Sequence, residues 1–198
     1  LIFYKNGERK NILDCASYYQ VASDDLYIIK VDRYADGCKA DVDNQYSYYD
    51  LSGNKKSDSY YAAGVFNEAG RAIVSTDYLE NYVINDKFEI LSGEHYSIRS
   101  VGSLYVVWDE KHNQALMGKD GKILENEITD YASYGSLADD ESYIVVEVSK
   151  DTFVLYDTQK SNKIITVSGK SVSLNEHYFM VDNDYYSYKT GKKFYSKN

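Results

Sequence analysis

The chain has no proline, one tryptophan, two methionines and two cysteines in 198 residues. Average usage would supply roughly ten prolines in such a length, so no proline-rich linker divides it. No apolar run approaches the ~18 residues that span a bilayer as a helix, so no such span is expected. Basic residues are in the minority, 22 Lys and Arg against 31 Asp and Glu, for a net charge of −9. That balance excludes the basic face needed to wrap a phosphate backbone, and with it a nucleic-acid partner. There is no initiator Met and no charged-then-apolar leader; Leu1-Ile2-Phe3-Tyr4 opens on a strand-like stretch. The chain therefore reads as a mature or excised piece of a longer protein, whose leader is neither seen nor excluded. The Gly-x-Ser-x-Gly elbow, the His-Glu-x-x-His helix and the phosphate-cradling glycine loop are all missing, which removes the usual supports for hydrolase, zincin and nucleotide chemistry.

What is present is tyrosine, 23 residues of it, with 6 Phe. Apolar residues at 43% and charged residues at 27% describe a folded chain, neither membrane-embedded nor disordered. Short runs of Tyr, Val and Ile, which suit a pleated half-buried surface, alternate with Gly, Asn and Asp turn signals. The nearest helical pattern, Ser59 to Arg71, is broken by Gly64 and Gly70. The fold class is all-β.

The strands repeat as a unit. One element recurs around Tyr27, Ala72, Tyr105, Tyr143 and Tyr178: a polar turn followed by a run such as Leu26-Tyr27-Ile28-Ile29-Lys30-Val31 or Leu104-Tyr105-Val106-Val107-Trp108. A second element, a hairpin with a polar turn, recurs at residues 3–10, 48–55, 82–88, 116–122, 155–163 and 186–193. The Asn-Gly, Ser-Gly, Asp-Gly and Thr-Gly pairs at these turns supply the positive φ that tight hairpins require. A period of about 35–45 residues with four short strands is the pattern of a β-propeller blade, because such a sheet cannot bury both faces until a neighbour stacks on it. The expectation is a β-propeller-like array of five to six short four-stranded blades over residues 1–198, read as a single repeat domain with partial repeats at both ends; a β-solenoid or open sandwich is the alternative.

The run Gly118-Lys119-Asp120-Gly121-Lys122-Ile123-Leu124, followed by Tyr131 and Gly135, resembles the WG-type tandem repeats of bacterial envelope and secreted proteins. The alternation of Tyr-Ile-Ile-Val strands with Tyr-Asp-x-x-Gly-Lys hairpins is similar to bacterial propeller repeats more broadly. This chain lacks the Trp-Gly pair of that family, since Trp108 precedes Asp109, and lacks its usual second-strand proline. The resemblance implies an exported bacterial recognition or scaffold module, with no catalytic residues to carry over.

No catalytic, cofactor-binding or metal-binding residue is assigned. His95, His112 and His177 read as ordinary strand-end residues; the Glu94-His95-Tyr96 and Glu176-His177-Tyr178 triplets fall out of register when their neighbouring Ser-Gly pairs are aligned. The acids Asp24-Asp25, Glu68, Asp139-Asp140-Glu141 and Glu176 share one repeat position, the turn before the Tyr-Ile-Val strand. That is the signature of solvated hairpin tips; its functional counterpart is a band of negative charge facing cations or basic partners. Asp41-Val42-Asp43-Asn44 and Asp182-Asn183-Asp184 have the oxygen density of a calcium loop without the Gly and downstream Glu of an EF-hand. Tyrosine pairs such as Tyr18-Tyr19, Tyr48-Tyr49, Tyr60-Tyr61 and Tyr185-Tyr186 should place one ring inside and one outside, since adjacent strand residues point to opposite faces. The inner ring fills the core, and the outer ring is free to stack on a sugar or anchor a protein.

The reading of function is a non-enzymatic binding module of a bacterial secreted or cell-surface protein, with a glycan or protein ligand. A carbohydrate-active enzyme with paired carboxylates and a structural spacer are the alternatives. Cys15 and Cys38 both belong to the first repeat, one past its hairpin and one past its next strand. A disulfide between them, and an extracellular or envelope location, is expected; two buried thiols in a reduced chain is the other reading. The absence of Cys-x-x-Cys and the presence of only three His argue against a cysteine metal site.

Overall fold

The computed structural model describes residues 1–32, 38, 45–134 and 142–197. Among them there is no helix; twenty strands form six small antiparallel sheets. The chain divides into two compact units, Leu1–His95 and Tyr96–Asn198.

In the first unit, β1 (Ile2–Lys5) pairs with β2 (Glu8–Ile12); β3 (Ala16–Ser23), β4 (Leu26–Val31) and β5 (Gln45–Asp50) form a second sheet, and β6 (Ala62–Ala63), β7 (Arg71–Asp77) and β8 (Glu80–Asn85) a third. The second unit holds three four-stranded meanders. These are β9 (Ser97–Val101) to β12 (Ile123–Ile128) through β10 (Leu104–Trp108) and β11 (Gln114–Met117); β13 (Asp130–Tyr134) to β16 (Asn162–Ser168) through β14 (Tyr143–Ser149) and β15 (Thr152–Asp157); and β17 (Val172–Leu174) to β20 (Lys193–Ser196) through β18 (Phe179–Val181) and β19 (Asp184–Tyr186). Each sheet is built in sequence order from neighbouring hairpins, which is the make-up of a propeller blade and not of a parallel solenoid coil. The chain is an all-β, propeller-like array of blades.

The recurring Tyr-Ile-Val runs are the second strands, β4, β7, β10, β14 and β18. They are apolar on both sides because each faces two neighbours. Within the first unit, Ile28 and Tyr48 pack on Ala72, Val74 and Ile84 of the next sheet, whereas Ile29 and Tyr49 pack on Phe3 of the preceding one. Within the second, Val106 and Leu116 meet Ile144, Val146 and Tyr156, and Val145 and Leu155 meet Phe179 and Tyr188. Fully burying one such side chain contributes roughly 1.5–3 kcal/mol.

The turn chemistry is more uniform than the glycines alone announce. Asp50, Asn67, Asn85 and Asp109 each open a five-residue turn whose side-chain oxygen accepts the main-chain N–H groups two and four residues on. The fourth residue takes a positive φ: Gly53 and Gly70 as expected, but also Phe88 and His112. Gly53 has a second reason to be glycine, because a Cβ there would collide with the Phe3 ring, and its carbonyl accepts the Asn11 amide at 2.7 Å.

Cys15 and Cys38 are joined by a disulfide, with their Cα atoms 4.9 Å apart. It ties the start of β3 to the connection that follows β4.

A candidate aromatic binding face

The last sheet shows how an exposed site is built. Phe179 and Val181 turn inward, Phe179 stacking on Tyr186 with ring centroids 5.0 Å apart. Strand alternation therefore sends Met180 and Tyr185, a register pair, to the other face. Tyr195 is opposite Tyr185, yet Tyr186 is opposite Lys193, so Phe194 is the extra residue of a β-bulge. A bulge re-aims a side chain out of the regular alternation. Here it brings Phe194 beside Tyr195, and they are 60% and 54% exposed. Tyr178 closes the group, 5.1 Å from Tyr185 and 6.4 Å from Phe194, and Tyr185 is 5.1 Å from Tyr195.

The same bulge recurs at Leu124 of β12 and Ile164 of β16, where the bulged side chain packs on a buried cluster. In β20 the equivalent position carries an exposed ring. A polar rim lies beside it: Asp184 accepts the Lys193 ammonium at 3.3 Å and the Ser196 hydroxyl. The Ser196 hydrogen bond and the Lys193 charge hold the Asp184 carboxyl below its ordinary range. Glu176 and His177 form a second polar pair at 3.8 Å in the turn before β18.

The tyrosine pairs do not behave alike. Tyr60 is buried and Tyr61 exposed, as alternation predicts. Tyr48 and Tyr49 are both buried, at 0% and 6% exposure, because β5 has a neighbour on each face; Tyr18 and Tyr19 are both exposed. The Tyr48 hydroxyl donates to the Gly64 carbonyl at 2.6 Å, and burial pushes its pKa up.

The remaining sequence candidates do not converge. His95 lies at an outer edge, bridged to Asn81, with its pKa lowered by burial. His112 sits in the Asp109 turn against Tyr96, and His177 in the turn before β18. Asp24-Asp25, Glu68 and Glu176 occupy the predicted turns; Asp139 to Glu141 lie outside the described residues. Asp182 accepts the N–H groups of Lys170 and Ser171, so its oxygens fasten β17 to the turn after β18; Asp41 to Asn44 lie outside the described residues. Among the described residues no three His, Cys, Asp or Glu gather as a metal site, and no helix is long and apolar enough to cross a membrane. A cleft of about 230 Å³ in the first unit is lined by Leu1 to Tyr4, Tyr19, Tyr27 and Leu51. Among the described residues no carboxylate lines it.

No known protein family matches the chain, WG-type repeats included, and no curated protein matches it. Solved structures similar to it include the computationally designed Ika8 protein, at 9% identity over 92% of this chain with a TM-score of 0.38. BamB from Moraxella catarrhalis is similar at 9% identity over 88% of the chain and a TM-score of 0.34. Hsv2p from Kluyveromyces lactis is similar at 10% identity over 91% and a TM-score of 0.41. The chain spans 58%, 61% and 70% of their respective lengths. At such scores the assignment rests on the sheets' own topology.

Proposed function

We propose that the chain is a non-enzymatic binding module of a secreted or cell-surface protein, recognising carbohydrate through Tyr178, Tyr185, Phe194 and Tyr195. The observation that carries this reading is the four-ring face of the last sheet, two of whose rings are more than half exposed. The face of an aromatic ring is negative and attracts the weakly positive C–H face of a pyranose, while the Asp184, Lys193 and Ser196 rim offers donors and acceptors to hydroxyls. Tyr178, Tyr185 and Phe194 contact one another and Tyr195 contacts Tyr185, so less side-chain entropy is lost on binding than for isolated rings. The Cys15–Cys38 disulfide supports an oxidising compartment.

A glycan array, followed by calorimetry on its hits, tests this. Tyr185→Ala and Phe194→Ala should each weaken binding about tenfold or more, the scale of ~1.4 kcal/mol for one lost contact, with the β-sheet circular dichroism retained. Absence of any glycan ligand, or hits indifferent to both substitutions, overturns the reading.

A further inference from the structure

We propose that Tyr61, Tyr78 and the carboxylates of Glu80 and Glu94 form a docking site for an arginine side chain on a basic segment of a partner protein. The site lies within the first unit, on the sheet of β6, β7 and β8. Ala62 is opposite Ser75 and Asp77 opposite Glu80, so Tyr61 falls beside Thr76, next to the β7–β8 turn. Tyr61 and Tyr78 meet edge to face with ring centroids 6.3 Å apart. They are 49% and 73% exposed, with Leu79 of the same turn at 44%. In an edge-to-face pair one ring keeps both faces clear of its partner. The Thr76 hydroxyl donates to Glu80 at 2.8 Å, and the Tyr82 hydroxyl to Glu94 at 3.5 Å. Desolvation, then the charges of Glu94 and Glu80, raise the Tyr82 pKa, so both acids border the same ring.

The fold itself does not require these rings. The counterpart of Tyr61 in the second unit is Thr129: the Tyr61 N–H donates to the Ser75 carbonyl of β7 and the Thr129 N–H to the Glu147 carbonyl of β14, both at 2.8 Å. The counterpart of the Tyr78-Leu79 turn is Lys150-Asp151, and the turns that follow β10 and β18 are polar too. A blade closes here with polar residues, whereas this one carries exposed tyrosines, the residue type that anchors interfaces. Charge selects the partner. Among the described residues no Lys or Arg forms an ion pair with Asp77, Glu80 or Glu94, in a chain of net charge −9. A planar guanidinium stacks on a tyrosine face and meets a carboxylate with two parallel N–H bonds, which an ammonium does not. The chain makes part of this contact itself in the second unit. There the Arg99 guanidinium lies 5.6 Å from the centroid of the Tyr131 ring and donates to the Tyr131 hydroxyl at 2.9 Å. This proposal is independent of the aromatic face on the last sheet.

The probe is the synthetic peptide Gly-Arg-Gly-Arg-Gly-Ser, titrated into the whole isotope-labelled protein and followed by its amide resonances. Saturable shifts are expected at Tyr61, Tyr78, Glu80 and Glu94, with a Kd of about a millimolar or below. Citrulline in place of arginine keeps the plane and removes the charge, and should weaken binding about tenfold. The lysine peptide should bind more weakly than the arginine one. Tyr78→Ala and Glu94→Gln should each weaken binding about fivefold with the rest of the spectrum unchanged. Glu110→Gln, which removes an exposed acid of the second unit, should leave it as it is. No saturable shifts at these four residues, or equal losses in Glu94→Gln and Glu110→Gln, overturn the proposal. So does a Tyr78-dependent dimer formed without peptide, which would assign the rings to a second copy of the chain, or a glycan hit lost in Tyr78→Ala.

Discussion

The two units finish their blades differently. In the second, the outer edge is a regular strand, β12, β16 or β20, each carrying one or more bulges. In the first, the sheets containing β5 and β8 have no outer strand, and residues 54–60 and 89–95 run alongside instead. There the Tyr48 N–H donates to the Ser57 hydroxyl and the Val83 N–H to the Ser92 hydroxyl, both at 3.0 Å. Either side of that insertion the main chain pairs normally: Lys56 N–H to the Tyr48 carbonyl and Leu91 N–H to the Val83 carbonyl, with bridges at Tyr46–Tyr60 and Asn81–His95. The same blade can thus be closed by a ladder or by a serine hydroxyl standing in for a carbonyl. What the chain cannot do is leave a buried N–H unmet.

The first unit also carries the disulfide, and breaking it should have the largest effect. Closing a loop whose ends are 23 positions apart is worth about 3 kcal/mol in the chain-entropy account. Cys15→Ala with Cys38→Ala should lower the stability of the first unit by that order, read from amide exchange at Ile28, Ile29 and Tyr48. Exchange at Ile144 and Leu155 in the second unit should stay at the wild-type rate. A uniform loss across both units would show that they do not unfold separately.

Much of the blade pattern was legible in the sequence, because each second strand carries at least three consecutive apolar residues and the hairpins recurring from residues 3–10 to 186–193 each contain Gly or Asn. The outer edges were not. Ser57 and Ser92 lie 35 positions apart, as do Asp50 and Asn85, but isolated serines and aspartates carry no periodicity of two or 3.6, and the αL residues between them are Gly53 in one copy and Phe88 in the other. The Ser-Gly pairs at 92 and 168 are not counterparts, because Ser168 ends a regular strand, β16, whereas the Ser92 hydroxyl accepts the Val83 N–H. The aromatic face was legible only as tyrosine abundance. Its geometry depends on the bulge at Phe194, a one-residue register shift that composition does not signal.

The serine insertions themselves are the second test. Removing the hydroxyl leaves a main-chain N–H without its acceptor, at a cost of about 1–3 kcal/mol when the group is buried. Ser92 is itself buried and its hydroxyl donates a hydrogen bond to the Gly93 carbonyl at 2.9 Å, whereas Ser57 is half-buried and its hydroxyl donates to the Asp58 carbonyl at 2.7 Å. Ser92→Ala should therefore cost more than Ser57→Ala in chemical denaturation. In each variant the amide of Val83 or Tyr48 respectively should exchange faster. Equal, negligible effects would mean that water replaces the hydroxyl without loss.

The smallest expected effect separates two copies of one turn by their chemistry. The Asn67 turn of the first unit and the Asp109 turn of the second have the same hydrogen bonds, from Ala69 and Arg71 in one and from Lys111 and Asn113 in the other. Only Asp109 titrates. The Asn113 side-chain amide at 2.7 Å, then the main-chain N–H groups of Asn113 and Lys111, favour its charged form and lower its pKa below the ordinary 3.8. A depressed carboxyl contributes stability that is present above its unfolded value and is lost as pH falls through the folded one. Between neutral pH and that range the two turns should behave alike. On further acidification the Lys111 and Asn113 amide resonances should shift with a midpoint below 3.8, while those of Ala69 and Arg71 show no transition there. Asp109→Asn should abolish the transition and keep the turn, since Asn67 and Asn85 already make it with an amide. A transition that persists in Asp109→Asn would assign the acid sensitivity to some other group.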